Sequence, residues 1–358
     1  MYQQLKQAVQ ERTKMVLAVL VKAPVELQEL VGQRLLLTEA GISGSLADTP
    51  LGSAIEQLAR QVREQQEPRL LPLAGDLSTV SVFFEPYHPV ARLLILGGGH
   101  VARPLAAFTS LLDYEITVVD DRPSFANSQR FPEARSVVCD DFIAALQRER
   151  IDACTSVVII TRGHKHDVDC LKYVLQYEPG YVGMIGSRRR AKLVREHLSA
   201  LGYPDDQIGR VNMPIGLEIG GETPAEIAAS IVAQLVANRH RLARQPVPPA
   251  STIEQWSLLA QLLDCIDRRQ LCVAATVIHT LGSTPRKAGA RLLVLPDGSR
   301  SGTVGGGCGE AEVCSEAMML FGSGRHKLIR VPMDADVDAE EGMSCGGAID
   351  VFLERIGQ

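Results

Sequence analysis

No stretch of the chain approaches the ~18 consecutive apolar residues of a membrane-spanning helix. The opening Met1-Tyr2-Gln3-Gln4-Leu5-Lys6-Gln7 has no apolar core of the kind that directs secretion. Positive charge is not in excess: 37 Lys and Arg against 42 Asp and Glu give a net charge of -5, which offers no electrostatic case for nucleic acid. No two cysteines have the C-x-x-C spacing of a zinc site. These absences leave a cytoplasmic protein with no membrane span, in a compartment where its cysteines are not expected to form structural disulfides. Cys139, Cys154 and Cys272 lie in or beside apolar, strand-like runs and read as small core residues. The bulk composition, 46% hydrophobic and 22% charged, suits a globular chain that buries a core. A length of 358 residues suggests two or three domains.

The stretch around which the rest is organised is Leu93-Leu94-Ile95-Leu96-Gly97-Gly98-Gly99-His100-Val101-Ala102. Four apolar residues read as a buried parallel strand, and a Gly-x-Gly-x-x-Ala turn leads into a helical pattern from His100 to Leu112. Gly97 permits the tight turn, Gly99 lets backbone approach a phosphate, and Ala102 lets the helix sit close to the strand. A second strand, Ile116 to Val119, ends in Asp120 and Asp121, about 20 residues on, where a ribose hydroxyl would need an acceptor. The two acids would disfavour a 2′-phosphate, so NAD is expected over NADP if either binds; the alternatives are another nucleotide, or a Rossmann scaffold that keeps the shape and has lost or changed its ligand. Arg122 follows directly. Further strands are expected at Arg135 to Cys139, Thr155 to Ile160 and Tyr181 to Ile185. Gly186-Ser187-Arg188 follows the last of these and could meet a phosphate, or simply start a solvated basic helix. His164 and His166, with His100 on the first turn, could form a metal or acid–base site or could cap a loop. Thr223, Pro224 and Glu226 spell a helix start with a capping box. Gln245-Pro246-Val247-Pro248-Pro249 reads as a semi-rigid linker.

The two ends of the chain resemble each other. Val16 to Val21, Gly32-Gln33-Arg34-Leu35-Leu36-Leu37 and Val82-Phe83-Phe84-Glu85 have counterparts in Val273 to Ile278, Gly289-Ala290-Arg291-Leu292-Leu293-Val294 and Val351-Phe352-Leu353-Glu354. A helical segment opens each copy, Leu5 to Glu11 in one and Ile253 to Arg268 in the other. The late copy has Gly305-Gly306-Gly307-Cys308-Gly309-Glu310 where the early one has Ala47-Asp48-Thr49-Pro50-Leu51-Gly52. It has Gly342-Met343-Ser344-Cys345-Gly346-Gly347 where the early one places Asp76 opposite Cys345. This reads as a structural copy and a working copy of one small domain.

Cys308 is the sharpest chemical candidate. It follows three glycines and precedes a helical run, and a helix N-terminus favours the thiolate that attacks electrophiles and binds soft metals. The glycine amides of Gly305, Gly306 and Gly307 could face an anion. Cys345 is the second candidate; the plain alternative is two buried cysteines in tight glycine turns. Arg286, in Gly282-Ser283-Thr284-Pro285-Arg286-Lys287, could bring positive charge to an anionic ligand or lie in an exposed turn. Cys314 falls on another face of the helix and reads as core.

Taken together, Leu96-Gly97-Gly98-Gly99-His100-Val101-Ala102, Val119-Asp120-Asp121-Arg122-Pro123, Arg130-Phe131-Pro132, Gly163-His164-Lys165-His166-Asp167 and Tyr181 to Arg189 resemble the Rossmann domain of the xanthine dehydrogenase accessory factor family, XdhC/CoxI. Pro214 to Gly220 and Thr223 to Ala228 extend the likeness. The late copy resembles that family's other domain. The family implies maturation of molybdenum hydroxylases. By that resemblance the chain binds molybdenum cofactor (molybdopterin), promotes its sulfuration with a cysteine desulfurase, and hands it to a xanthine dehydrogenase-type enzyme. Cys308 and Cys345 would then contact molybdenum or its dithiolene, or carry sulfur. The glycine turns and Arg286 would suit the pterin phosphate. The order departs from the family's usual layout, since the motif-bearing domain follows the Rossmann domain and a degraded copy precedes it.

The expected fold is α/β: a central Rossmann-like parallel sheet over residues 90–244, flanked by two related small α/β domains, the degenerate N-terminal copy over 1–89 and the working copy over 252–358. The expected function is a molybdenum cofactor-binding chaperone, an accessory factor rather than an oxidoreductase, acting as a homodimer. The competing reading is an NAD-dependent oxidoreductase that uses Gly97 to Asp120 for cofactor and a reactive cysteine for chemistry.

Overall fold

The computed structural model describes residues 1–65, 67–242, 251–332 and 347–357. The chain divides into two compact units, one of Met1–Pro89 with Glu254–Gln358, the other of Val90–Ile253. The early copy runs α1 (Tyr2–Glu11), β1 (Met15–Lys22), β2 (Arg34–Thr38), β3 (Gly41–Ser43), α2 (Gly52–Gln65), β4 (Arg69–Pro72) and β5 (Ser81–Tyr87). The second unit follows with β6 (Arg92–Leu96), α3 (Ala102–Ser110), β7 (Glu115–Asp120), β8 (Ser136–Cys139), α4 (Phe142–Leu146), β9 (Thr155–Ile159), α5 (His164–Val174), β10 (Tyr181–Met184), α6 (Arg188–Ala200), α7 (Asp205–Arg210), β11 (Val211–Asn212) and α8 (Pro224–Leu242). The late copy comprises α9 (Ile253–Asp267), β12 (Cys272–Leu281), β13 (Arg291–Val294), β14 (Arg300–Gly302), α10 (Gly307–Leu320), β15 (His326–Pro332) and β16 (Ala348–Ile356). The Gln245–Pro249 linker lies outside the described residues.

The second unit is a six-stranded parallel sheet in the order β11-β10-β9-β6-β7-β8. Its strands are apolar on both sides because both faces are covered. Leu93, Ile95, Val118 and Val158 pack with Leu105 of α3 and Ile231 of α8. Their neighbours Leu94, Leu96, Val119 and Val157 pack with Phe142, Leu171 and Val194 on the other face. The strand order reverses between β6 and β9, which opens a crevice at their carboxyl ends. The α/β class and the Rossmann-like sheet expected from the sequence are both present. So is the capping box: Glu226 Oε2 accepts the Thr223 N–H at 2.9 Å, and Thr223 Oγ1 accepts the Glu226 N–H at 3.3 Å. Cys139 departs from expectation. It is exposed, because β8 is the edge of the sheet and has a neighbour on one side only.

The first unit contains two antiparallel sheets of identical order, β3-β2-β1-β5-β4 and β14-β13-β12-β16-β15. The likeness extends to irregularities. A bulge interrupts β1 between Leu20 and Lys22 and β12 between Val277 and His279. The Gly32 N–H bonds Leu20 O and the Gly289 N–H bonds Val277 O, both at 2.8 Å. In the late sheet Val273, Val277, Val351 and Leu353 face Val313 and Ala317 of α10, so Arg291 and Glu354, one residue out of phase, lie on the opposite face. There they meet the early copy. Arg291 Nη2 pairs with Glu85 Oε2 at 2.7 Å, and Arg34 Nη2 pairs with Glu354 Oε2 at 2.7 Å. Arg34 and Arg291 are equivalent positions of the repeat, as are Glu85 and Glu354. The contact is therefore reciprocal, the pattern of an approximate two-fold axis within one chain. Trp256 of α9 closes the packing: its Nε1–H donates to His88 O at 2.9 Å and its ring lies 5.1 Å from that of Tyr87.

His88 is almost wholly buried, and burial, with the Lys14 and Arg63 cations nearby, pushes its pKa down to about 4. The unfolded chain takes up this proton near pH 6.5 and the folded one does not until about pH 4. Stability from this group is thus full above pH 6.5 and is lost as pH falls toward 4, by up to about 1.4 kcal/mol per pH unit. Denaturant titrations at pH 7 and pH 5 should show this loss in the natural chain and a smaller one in His88→Asn. An equal loss in both would remove His88 as its source.

Candidate functional site

At the crevice of the parallel sheet, Gly97 takes a left-handed φ of 115°, and a Cβ there would strike the Ile160 carbonyl at the end of β9. Gly97 thus brings the first turn against the strand on the other side of the switch point. Gly99 opens onto free space and His100 is exposed, as an approaching ligand requires. Asp120 is not placed as expected. It is 1% exposed. Its carboxylate accepts the Gly98 N–H at 2.8 Å, the Arg122 N–H at 3.0 Å, Arg122 Nε at 2.8 Å and Arg122 Nη2 at 3.0 Å. A carboxylate has about four acceptor sites, and all are used within the chain, so Asp120 ties the glycine turn down instead of reading a ribose. Burial would raise its carboxyl pKa, but the Arg122 side chain and the two backbone N–H groups outweigh that and hold it below the usual range.

The other crevice residues are also bound to their own chain. Arg122 stacks over Phe125 at 3.7 Å, and Arg130 Nε donates to Gly98 O at 3.0 Å. Asp121 accepts from Arg162 Nη2 at 2.6 Å, which ties the end of β7 to the loop after β9. Ser187 caps α6 by accepting the Arg190 N–H at 3.2 Å, Gly186 packs under the Arg190 side chain, and Arg188 pairs with Glu218. His166 lies against Phe142, ring centroids 5.4 Å apart. Among the described residues no group of three or more His, Cys, Asp or Glu side chains is arranged to hold a metal ion. Sequence reasoning passed over Asp167, which is fully buried, bonds Thr161 Oγ1 and pairs with Arg190. Its place one turn into a helix after a strand end was the available signal.

In the late copy the register gathers three segments at one end of the sheet. Leu281, last in β12, pairs with Ala348, first in β16, while β14 ends at Gly302 opposite Leu292 near the start of β13. Hence the Gly282–Arg286 loop, the Thr303–Cys308 turn and Gly347 share that end. A Cβ on Gly347 would collide with the Ser283 carbonyl, so only glycine lets the chain at this position lie against that loop. Cys345 itself lies outside the described residues. Cys308 is the second residue of α10 and is exposed, not buried in its turn. Gly306 and Gly307, with φ of 79° and 61°, line open space. Two glycine amides are already engaged: Thr303 Oγ1 accepts from Gly305 at 3.1 Å and Glu310 Oε2 from Gly306 at 3.3 Å. They are not available to an anion as expected, because the Thr303 hydroxyl holds one and the Glu310 carboxylate folds back to hold the other. Burial raises the Glu310 pKa, but bonds from Thr303, Val304 and Gly306 and the nearby Arg300 cation bring it below the ordinary range. Arg286 is half-exposed, with its guanidinium 3.7 Å from Glu254. Cys314 is partly buried against the α10 core, 3.5 Å from Arg300 Nη1.

Residues 93–235 match the family model of the XdhC Rossmann domain, and residues 265–332 match that of the XdhC and CoxI family. The chain is 29% identical over 209 residues to a probable xanthine dehydrogenase subunit of Bacillus subtilis, covering 58% of each chain. It is 26% identical over 204 residues to the uncharacterized protein YqeB of Escherichia coli, covering 54% of this chain and 37% of that one. It is 34% identical over 84 residues to the molybdenum cofactor insertion chaperone PaoD of Escherichia coli, covering 24% and 26%. The match thus spans less than two thirds of each relative. A crystal structure described as a xanthine dehydrogenase from Bacillus halodurans aligns over 68% of this chain and 95% of that one, with a TM-score of 0.41 at 22% identity. No described helix is long and apolar enough to cross a membrane. With two domains of one family matched in turn along well over half its length, the chain belongs to the XdhC/CoxI family.

Proposed function

We propose that the chain is a maturation factor that carries molybdenum cofactor in its late copy. It supports the sulfuration of that cargo with a cysteine desulfurase and inserts it into a xanthine dehydrogenase-type molybdenum hydroxylase. It does so in the cytoplasm and as a homodimer. Family membership and the likeness to a molybdenum cofactor insertion chaperone support this reading. The observation that carries it is Cys308, exposed in the first turn of α10 behind an open glycine turn, in the copy that keeps both cysteine-glycine motifs. A thiolate there suits the soft metal of the cargo or its sulfur ligands. Arg286 suits the pterin phosphate, and Cys345 would add a second sulfur. The oxidoreductase reading is weaker, because the acid it needs for the ribose is spent on Gly98 and Arg122.

Co-expression with active cofactor synthesis provides the test. The natural chain should carry molybdenum and oxidisable pterin at close to one per chain, and Cys308→Ala should lose most of both. Absence from both proteins, or equal content in both, would overturn the reading.

A further inference from the structure

The late copy also shows what keeps Cys308 in place. Three glycines precede it, and Gly305, Gly306 and Gly307 all take left-handed φ, at 144°, 79° and 61°. Glycine has more backbone freedom to lose than any other residue, so such a turn does not order itself. No neighbour packs where side chains on Gly306 and Gly307 would lie, and the N-cap residue Gly306 has no side chain with which to cap α10. One carboxylate oxygen closes the turn instead. Glu310 Oε2 accepts the Thr303 hydroxyl, the Val304 N–H at 3.2 Å and the Gly306 N–H at 3.3 Å. Thr303 Oγ1 in turn accepts the Gly305 N–H at 3.1 Å. The Glu310 N–H reaches back to Gly306 O at 3.4 Å. Cys308, itself exposed, stands between Gly306 and Glu310, the two residues that these bonds join.

The early copy shows that the shared scaffold does not require this carboxylate. Its helix α2 buries Ile55, Ala59 and Val62 where α10 buries Val313, Ala317 and Leu320, so Gly52 stands at the place of Glu310. There the turn is closed by its own backbone, with the Thr49 N–H on Leu46 O at 3.3 Å and the Gly52 N–H on Thr49 O at 2.9 Å. No glycine run precedes α2: Ala47, Asp48 and Thr49 take the places of Gly305, Gly306 and Gly307. Glu310 and the glycines thus occur together, in the copy that carries Cys308. The glycines leave the approach to Cys308 free of side chains, and the carboxylate removes the flexibility that they bring.

We infer that Glu310 is the positioning residue of the late-copy site, holding the glycine turn so that Cys308 meets the molybdenum of the cargo, or its sulfur ligands, in one preset place. This rests on the cargo reading above and adds a residue to it. Without the carboxylate the cargo would have to order the turn itself, which weakens binding. The test is anaerobic titration of the full chain with molybdenum cofactor, beside amide hydrogen exchange of the free chain. It compares the natural protein with Glu310→Ala, Glu310→Gln, Thr303→Val and Cys308→Ala, and denaturation midpoints confirm that each is folded. Glu310→Ala should bind roughly tenfold more weakly and exchange its Val304 and Gly306 amides about tenfold faster. Glu310→Gln keeps an oxygen for the same three donors and should stay within about threefold of the natural chain in both readouts. Thr303→Val, a smaller break in the same network, should move both readouts in the direction of Glu310→Ala and carries the test if that variant does not fold. Natural binding in Glu310→Ala and Thr303→Val, with loss in Cys308→Ala, would overturn this inference and leave the cargo reading standing. Equal weakening in both Glu310 variants would refute the positioning role, since the charge and not the accepted bonds would then matter. No saturable binding by the natural chain would remove both readings.

Discussion

Arg291→Met should lower the stability of the unit built from residues 1–89 and 254–358 by roughly 3–5 kcal/mol. Arg291 and Glu85 are about 8% and 5% exposed, and the guanidinium spends every nitrogen inside the fold: Nη2 on Glu85, Nη1 on Tyr87 OH at 3.1 Å, and Nε on Thr276 Oγ1 at 3.0 Å. Burial alone would make Arg291 easier to deprotonate, but Glu85 and Tyr87 reverse that and its pKa is raised. Removing the cation leaves a buried carboxylate with its charge uncompensated, and that penalty, more than the lost attraction, sets the size of the effect. The triple change Glu85→Leu, Tyr87→Phe and Arg291→Met removes all three polar groups together and should recover most of the loss. Trp256 is the only tryptophan and touches Tyr87, so its fluorescence reports unfolding of this unit directly. An Arg291→Met protein within about 1 kcal/mol of the natural one would show that the pair does not hold the copies together.

Asp120→Ala should cost the parallel-sheet unit a similar amount, about 3 kcal/mol or more, since it strands the Gly98 N–H and the Arg122 guanidinium at once. Asp120→Asn keeps the shape but loses the charge, and should cost about half as much. Thermal unfolding followed by circular dichroism reads both. A parallel titration with NADH separates the structural role from the ribose role. If Asp120→Ala were as stable as the natural chain but lost NADH binding, the carboxylate would be a ligand contact and the four internal bonds incidental. The structural role requires the stability loss whether or not NADH binds.

How much of this was legible depended on how far apart in sequence the deciding residues lie. The capping box needs four consecutive positions, and the chain spells it out. The glycine turn and the unbroken apolar run of Leu93 to Leu96 are nearly as local, which is why the parallel sheet could be read in advance. The repeat was visible as paired strings, but the meaning of Arg34, Glu85, Arg291 and Glu354 was not. Each arginine bonds the glutamate of the other copy, more than 200 positions away, and no periodicity encodes that. Asp120 misled for a related reason. A strand-end acid after a glycine turn has the same spacing whether it faces a ribose or turns inward to Gly98, and only the neighbouring Arg122 decides. Cys308 was legible because glycines and a helix start surround it.

The reciprocal pairing also orders events during synthesis. Residues 1–89 emerge first, yet the face carrying Glu85 and Tyr87 is covered only when residues 254–358 arrive, after the whole parallel-sheet unit has been made. At ordinary elongation rates that interval is on the order of ten seconds or more. During it the parallel unit, whose strands all lie in one continuous segment, can fold on the ribosome, while the early sheet waits half-covered. A ribosome that stalls anywhere in that interval would release a chain whose first sheet has lost its counterpart, and such a product should depend on chaperones or be degraded.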